Sequence, residues 1–236
     1  LWERTQNAAD AVLLEDYLRR YPSGRFSELA QLRLDRILSR QGEKKVEIVA
    51  APQNPYSKGT ARANTAYRLG DSYTWRVMDA FTQLELQRLT LTVTDITENE
   101  IVYNGGTETA DLLGNHLRSS VLGVRGPNQI VPLEFAVGRR WSTRFNATNL
   151  RGNPSVVELD LRIAAREPVT VPAGSFDCYR LEARGWARGP NVDQQWEFRR
   201  WYAPERVRQY VASEGVIRAG HGGILNSRKL ELLAFK

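Results

Sequence analysis

Cys178 is the single cysteine of the chain, and His116 and His221 are its two histidines. A cysteine acts as a nucleophile when an imidazolium or a helix N-terminus stabilises its thiolate. Cys178, however, lies between Asp177 and Tyr179 in a stretch typical of a strand, where a small buried apolar residue is the common finding. We therefore expect no catalytic residue at this position. One cysteine also excludes an intrachain disulfide and a zinc site built mainly of thiolates.

The remaining sequence patterns give little support for a catalytic or metal-binding site. His221 lies in a glycine-rich stretch, residues 219–223, but no lysine followed by serine or threonine comes after it, so this is not a phosphate-binding loop. The two histidines are far apart and lack carboxylates at metal-site spacing, which predicts no metal and no cofactor. Glu158 and Asp160 share a strand face, but neighbouring opposite charges favour a solvated surface. The sequence therefore predicts a protein that is not an enzyme, with a hydrolase using scattered carboxylates as an open alternative.

Aromatic and arginine residues form the group most typical of a binding site. They lie in two successive predicted strands joined by a hairpin around residues 189–190. Alternation puts Trp196 and Phe198 on one strand face, and Arg199 and Trp201 on the other. Aromatic rings and guanidinium groups stack on sugars, bases or acyl chains, although most of these side chains are expected to be core. The candidate ligand-binding residues are Trp186, Trp196, Phe198, Arg199 and Tyr202.

The composition is that of an ordinary folded chain with a basic charge. Of its 236 residues, 42% are hydrophobic and 25% are charged, and the formal net charge is +6. Nearly all the basic residues are arginines spread along the chain, which disfavours nucleic-acid binding and leaves a diffuse field suited to acidic partners. No apolar run approaches the roughly 20 residues of a transmembrane helix. Because the chain begins at Leu1 inside a predicted helix, we expect a signal, an anchor or a further domain to lie outside it.

The first forty residues predict two helices joined by a tight turn. Apolar residues recur at three- and four-residue steps in both segments, which places them on one face of each helix. Pro22 and Gly24 complete the turn, so the helices fold back as a hairpin. A hairpin this small cannot bury both of its faces, and we expect it to contact a protein partner or the rest of the chain. The candidate contact residues are Tyr17, Phe26 and Leu34.

The turn and the apolar residues around it carry a resemblance. The residues are Trp2, Leu14, Tyr17, Leu18, Tyr21-Pro22-x-Gly24-x-Phe26, Leu29, Ala30, Arg33 and Leu34. Together they resemble the tetratricopeptide-like helical repeat found beside bacterial caspase-like peptidase domains. The resemblance covers residues 1–40 and implies a protein-interaction or spacer module. It does not indicate a caspase-like domain in this chain, because no catalytic Cys-His pair of that kind is identifiable.

The hydrophobic period changes from helical spacing to two near residue 67. Prolines and glycines interrupt residues 41–66, which predicts a linker with one short extended piece at residues 46–51. The clearest alternation runs from Val157 to Ala165, with charged residues on the opposite face. No long amphipathic helix separates the strands, which favours antiparallel over parallel pairing. We predict an α+β chain: a helical hairpin at residues 1–40, the linker at 41–66, and a mainly antiparallel β half-barrel or open barrel at 67–236.

Several sequence pieces in the second half of the chain carry a second resemblance. They are Pro132-Leu133, Val137-Gly138-Arg139-Arg140-Trp141, Val169 to Phe176 with Cys178-Tyr179, Trp201-Tyr202-Ala203-Pro204 with Val207, and Ser227 with Leu230 to Leu232. They resemble a bacterial envelope domain family of unknown function that includes TapB-like proteins. The resemblance implies an exported β domain, periplasmic or envelope-associated, similar in shape to the half-barrels of the lipoprotein carriers LolA and LolB. It implies no catalytic residues.

These observations predict a non-enzymatic bacterial cell-envelope protein. In this hypothesis the helical hairpin mediates protein contact, and the β domain holds a lipid, another amphiphile or a partner segment against its concave face. The alternative is a structural or regulatory appendage of a larger protein, such as a caspase-like peptidase. In that case the inner face of the sheet is filled by its own aromatic side chains and has no ligand pocket.

Overall fold

The computed structural model describes residues 2, 11–21, 26–40, 60–119, 123–148 and 152–236. The chain divides into two compact units, residues 1–57 and 58–236. Most of the predicted linker, residues 41–59 with the extended piece at 46–51, lies outside the described residues. Residues 60–66 belong to the second unit, where Ala61 and Arg62 pair with Phe135 and Glu134.

The first unit contains two helices, α1 (Ala11–Arg20) and α2 (Ser27–Arg40). Arg19 and Arg20 lie in the last turn of α1 and Glu28 in the first turn of α2, and these placements complement the helix dipoles. The two helices share a small apolar core. Its members are Leu14, Tyr17, Ala30 and Leu34, with Trp2, Ala11, Leu18, Phe26 and Ile37 packed against them. Neither of these described helices is long and apolar enough to span a membrane.

The described part of the second unit contains fourteen strands. In chain order they are β1 (Ala61–Arg62), β2 (Ser72–Asp79), β3 (Glu85–Ile96), β4 (Glu100–Tyr103), β5 (Glu108–Asp111), β6 (His116–Ser119), β7 (Val124–Arg125), β8 (Glu134–Phe135), β9 (Arg140–Thr148), β10 (Pro154–Val171), β11 (Gly174–Gly189), β12 (Val192–Tyr202), β13 (Tyr210–Ala219) and β14 (Ile224–Phe235). A short 3-10 turn, Asn104–Gly106, follows β4. The strands β1 and β8 form a separate two-stranded sheet.

The other twelve strands form a closed antiparallel ring. Their order is β10-β11-β12-β13-β14-β2-β3-β4-β5-β6-β7-β9, and β9 pairs with β10 to complete it. Eight long strands, β9 to β14 with β2 and β3, make most of the wall. The short strands β4 to β7 complete the ring, and β7 joins β9 through only two residue pairs, Val124–Ala147 and Arg125–Asn146.

The prediction of mainly antiparallel β structure after a helical pair is confirmed. The open edge expected for a half-barrel or open barrel is instead bridged by β4 to β7. These four strands have two to four residues each. A strand so short contains too few alternating residues for a period of two to reveal it, which is why the sequence did not predict closure.

The long strands form because buried and exposed residues alternate along them. In β10, Val157, Leu159 and Leu161 are buried while Glu158 and Asp160 are exposed. Full burial of one such aliphatic side chain contributes about 1.5–3 kcal/mol. The buried side chains of the whole unit form two apolar clusters. The first contains Val157, Leu159, Tyr179, Leu181 and Tyr202, and the second contains Tyr73, Trp75, Tyr103, Cys178 and Leu232.

Candidate ligand-binding site

Strand β12 places bulky side chains in line on the face that carries the first apolar cluster. Phe198 and Arg200 lie opposite Ala183 and Leu181, both of which are buried on β11. Trp196 precedes them on the same face and packs against the same cluster. The structure therefore places Trp196 and Phe198 together, as alternation predicted.

The exposure of this face changes along the strand. Tyr202 is buried and lies 5.3 Å, centroid to centroid, from the ring of Phe135. Val192, at the other end of β12, is also buried, and the side chains of this face between the two keep part of their surface exposed. The face continues onto β13 and β14, because Ile217 lies opposite Trp196 and Arg228 lies opposite Gly215. We name the partly exposed residues of this face the inner wall: Trp196, Phe198, Arg200, Ile217 and Arg228.

Arg200 gives the inner wall its charge. Its guanidinium carbon lies 4.8 Å from the centroid of Phe198 and 5.1 Å from that of Tyr210, within range of cation–π attraction. Burial raises the pKa of the Tyr202 hydroxyl, and the charge and hydrogen bond of Arg200 partly offset this effect. The buried Nε of Arg200 has no hydrogen-bond partner among the described residues. It is an unsatisfied buried donor beneath the inner wall.

A buried carboxylate lies on the short strands β5 and β6. Glu108 Oε2 is 3.2 Å from His116 Nδ1, and Ser119 Oγ donates a 2.8 Å hydrogen bond to Glu108 Oε1. Glu108, His116 and Ser119 are 4%, 8% and 4% exposed, respectively. Because the carboxylate lies between the serine and the histidine, the imidazole is not placed to take the serine proton, as a serine hydrolase requires. The group is therefore a buried polar network of the core.

Cys178 does not have the surroundings of a nucleophile. Its side chain is fully buried in the second apolar cluster. Burial, with smaller contributions from the negative charges of Asp177 and Glu167, raises the pKa of its thiol to about 12. The thiolate needed for nucleophilic attack is thus disfavoured.

The structure separates Trp186 and Arg199 from the inner wall. Trp186 lies opposite Gln195 and Glu158, on the outer face, where Arg188 stacks on it at 4.9 Å. Arg199 is exposed on that same outer face. Its charge acts on Glu182, which accepts a 2.9 Å hydrogen bond from Arg162 Nε. Neither residue is placed to touch a ligand bound at the inner wall, because neighbouring side chains of a strand point to opposite faces.

The inner wall also contains residues that the sequence analysis did not select. Arg200 is next to Arg199, and the alternation that separates Trp196 from Glu197 also places Arg200 inward. Ile217 and Arg228 join the wall only through the pairing of β12 with β13 and of β13 with β14. This register depends on long-range contacts, and no local pattern in the sequence contains it.

Most of the residues predicted to contact a partner protein lie in the core of the helical unit. Tyr17 and Leu34 are 6% and 7% exposed in its core. Phe26 is half-buried and stacks on Trp2 with ring centroids 4.9 Å apart. Among the described residues of this unit, the large apolar side chains that are exposed are Val12, Leu13 and Tyr21.

The carboxylates considered for hydrolysis and the histidine considered for phosphate binding do not lie together in one site. Glu158 lies 3.5 Å from Arg144 in an exposed ion pair, and Asp160 accepts a 2.8 Å hydrogen bond from Ser142. His221 is exposed in the turn between β13 and β14. Within the described ranges, no three His, Cys, Asp or Glu residues are grouped so that they could hold a metal ion.

Comparison with known proteins identifies similar solved structures but no family. No family model matches the chain, and no curated protein matches it. A candidate exported protein with a YmcC-like fold from Bacteroides fragilis is 12% identical, with a TM-score of 0.45 over 75% of this chain and 100% of that one. A candidate lipoprotein from Parabacteroides distasonis is 14% identical, with the same TM-score and coverage. The hypothetical lipoprotein YmcC from Escherichia coli is 15% identical, with a TM-score of 0.44 over 71% of this chain and 88% of that one.

Proposed function

We propose that this chain is a non-enzymatic cell-envelope protein whose β unit binds an amphiphile with an anionic head group. The observation that carries the proposal is the partial exposure of Trp196 and Phe198 on a strand face that is otherwise core. Large aromatic surfaces left accessible on an inward face are typical of ligand sites, where apolar walls are combined with a few polar groups. In this proposal the long strands of the ring form the wall that holds the ligand, the role that the resemblance to lipoprotein carriers suggests for them.

The chemistry of the inner wall supports the class of ligand that we propose. Trp196, Phe198 and Ile217 offer apolar surface for an acyl chain or a similar group. Arg200 and Arg228 offer two positive charges on the same face, and guanidinium groups bind carboxylates and phosphates through paired hydrogen bonds. An anionic amphiphile matches both parts of the wall, whereas a neutral apolar molecule would match only its apolar part.

The binding test compares residues on opposite faces of the same strands. A dansyl-labelled fatty acid is titrated into the intact protein, and Trp196→Ala, Phe198→Ala and Arg200→Gln are compared with the outer-face controls Trp186→Ala and Arg199→Gln. We expect each inner-wall change to weaken binding about tenfold, equivalent to about 1.4 kcal/mol. The two controls are expected to bind as wild type does.

Head-group selectivity is tested with single-chain phospholipids as competitors. Anionic lysophosphatidylglycerol should displace the probe more effectively than zwitterionic lysophosphatidylcholine, and Arg200→Gln should remove the difference. Absence of probe binding by the wild type, or equal losses in the inner-wall and outer-face variants, would show that the wall is not a ligand site.

The envelope location and the protein-contact role of the helical unit are parts of the same proposal. The TapB-like sequence pieces support the location, and the tetratricopeptide-like turn supports the contact role. The exposed side chains of α1, Val12 and Leu13, offer the contact surface in place of the buried Tyr17 and Leu34. Fractionation of cells that produce the natural full-length protein tests the location, since a cytoplasmic fraction would contradict it.

A second candidate function is an appendage with a filled β core, and the burial of the second apolar cluster favours it. Tyr73, Trp75 and Tyr103 are at most 1% exposed. If the inner wall is likewise only core, Trp196→Ala should cost about 3–5 kcal/mol of unfolding free energy, as aromatic truncation in a core does. If the wall binds a ligand, the same change should cost less and should weaken probe binding. Urea unfolding of Trp196→Ala therefore separates the two functions.

A further inference from the structure

Two neighbouring hairpin tips of the β unit carry large exposed apolar side chains. The first tip joins β2 to β3 and the second joins β13 to β14. We name these side chains the apolar rim. Its members are Phe81 (66% exposed), Leu84 (66%), Leu86 (54%), Ile224 (50%) and Leu225 (56%). Contiguous exposed apolar surface of this kind marks a site of interaction with a protein or a membrane.

The two tips are held side by side by the pairing of β14 with β2. Arg228 lies opposite Asp79 in the register, and the backbone N–H of Ala80 donates to the carbonyl of Ser227 at 3.3 Å. The rim also lies at the end of the strands where the inner wall is partly exposed, because Ile217 of the wall is paired with Asn226, the residue after Leu225. The rim is thus one surface contributed by two hairpins.

The first tip has a defined turn, so the exposure of its apolar residues is a property of the fold. The Asp79 Oδ1 atom accepts hydrogen bonds from the backbone N–H groups of Phe81 at 3.0 Å and Thr82 at 2.8 Å. The backbone N–H of Gln83 donates to the Asp79 carbonyl at 3.0 Å. Hydrogen bonds from Thr82 and Phe81 to the carboxylate hold the pKa of Asp79 below its usual value. These bonds fix the turn while Phe81 and Leu84 project into solvent.

Basic side chains lie directly behind the apolar rim. Arg88 follows Leu86 on β3 with 66% of its side chain exposed, and Arg218 and Lys229 are 34% and 30% exposed on β13 and β14. Arg228 lies between the second tip and Lys229. Much of this charge is paired, since Arg88 contacts Glu85, Arg218 contacts Glu197 and Lys229 contacts Glu231. The chain as a whole has a formal net charge of +6.

We propose that the apolar rim docks the β unit onto an anionic phospholipid bilayer. Apolar side chains that enter the acyl–headgroup boundary, backed by basic residues that face the lipid phosphates, are the two components of interfacial membrane binding. A lipid surface also accommodates two projecting turns without the close shape complementarity that a protein interface requires. The proposal stands apart from amphiphile binding at the inner wall, because the apolar rim and the inner wall share no residue and vesicle binding is measured separately. Arg228 alone belongs both to the wall and to the basic group behind the rim.

The test is co-sedimentation of the intact protein with vesicles of phosphatidylcholine alone or mixed with phosphatidylglycerol. The variants are Phe81→Ser with Leu84→Ser, and Ile224→Ser with Leu225→Ser. The control is Leu69→Ser, because Leu69 is 68% exposed and precedes β2, at the strand end opposite to the tips. We expect each double variant to reduce binding to anionic vesicles about tenfold or more and the control to change it less than about twofold. Binding should weaken as salt is raised.

Several outcomes separate lipid docking from self-association and from a loss of folding. Wild-type protein that does not sediment with anionic vesicles, or double variants that bind them as well as wild type, would overturn the proposal. A wild-type dimer that both double variants dissociate, without vesicle binding, would assign the rim to a second copy of the chain. Unchanged thermal unfolding shows that the variants are folded, and retained binding of the dansyl fatty acid shows that the inner wall is intact.

Discussion

At the residue scale, two glycines show how closely the strands of the candidate site approach one another. A Cβ atom on Gly185 would lie 1.9 Å from the backbone oxygen of Glu158, which cannot be accommodated without moving β10. A Cβ on Gly215 would lie 3.1 Å from Cβ of Phe198, so a small displacement suffices. Gly185 is therefore required for the close approach of β11 to β10, whereas Gly215 leaves room for the side chain of Phe198 in the inner wall.

This difference predicts the outcome of two matched substitutions. Gly185→Ala should lower the unfolding free energy by about 2 kcal/mol or more, because backbone must move. Gly215→Ala should cost about 1 kcal/mol or less, since only Phe198 has to adjust. Urea unfolding followed by far-UV circular dichroism measures both values, and equal midpoints for the two variants would contradict the prediction.

The buried thiol supports a second prediction at the same scale. Cys178 is fully buried and its pKa is raised to about 12, chiefly by burial. In the folded protein it should therefore react with an aromatic disulfide reagent at least about a hundredfold more slowly than a free cysteine does at neutral pH. The same protein in denaturant should release one thiol per chain. Rapid modification of the native protein would show that the strand around Cys178 opens.

At the scale of elements, the pairing of β14 with β2 is reinforced by a cluster of charges. Glu231 accepts a 2.9 Å hydrogen bond from Arg76 Nε across the strands, and Lys229 Nζ lies 2.8 Å from Glu231 Oε1. Burial alone would raise the pKa of Glu231, but the hydrogen bonds from Lys229 and Arg76 outweigh it and the pKa is lowered. The charged form of Glu231 is therefore stabilised by folding.

The lowered pKa predicts a stability that depends on acid pH. A carboxylate with a lower pKa in the folded state contributes its full stability above the unfolded value, about 4.3, and loses it as pH falls through the folded pKa. Glu231→Gln should therefore be less stable than wild type near neutral pH, by about 1 kcal/mol, and the gap should close in acid. Thermal unfolding at several pH values measures the gap. Glu205→Gln, at an exposed loop position, controls for the loss of one negative charge, and a gap that does not change with pH would contradict the assignment.

At the scale of the whole molecule, closure of the ring makes the stability of the β unit cooperative. Leu232 is fully buried where β14 meets β2, opposite Trp75. Leu232→Ala should cost about 2–5 kcal/mol, the usual range for truncating a buried leucine. Because each strand of the ring is paired on both sides, we expect tryptophan fluorescence and far-UV circular dichroism to report one coincident transition in this variant. Separate transitions would show that the two apolar clusters unfold independently.

The long elements and their faces could be predicted from sequence because their patterns are local. The helical spacing before residue 40 and the alternation at Val157 to Ile163 follow directly from the geometry of one helix or one strand. Two other features depend on contacts between distant parts of the chain. They are the closure of the ring through β4 to β7 and the register that adds Ile217 and Arg228 to the inner wall. The burial of Tyr17 and Leu34, predicted as partner-contact residues, likewise depends on packing, since the two helices of the hairpin enclose them in a shared core.

The same contrast holds within the candidate site. Alternation along β12 separates Phe198 from Arg199 and places Arg200 inward, so the arginine of the site was predictable from the pattern. Alternation along β11 also places Trp186 on the face opposite to the buried Leu181 and Ala183, so its outward position was predictable in the same way. The polar network of Glu108, His116 and Ser119 instead depends on pairing, across two strands of four residues each.

The seam between β2 and β14 has a consequence for how the protein is made. These strands come from opposite ends of the β unit in the sequence, and after the end of β14 the N–H of Lys236 donates to the carbonyl of Ser72, the first residue of β2, at 2.9 Å. During synthesis β2 leaves the ribosome long before β14, and its free edge has no partner until that strand follows. The ring therefore closes only after translation of the β unit is complete.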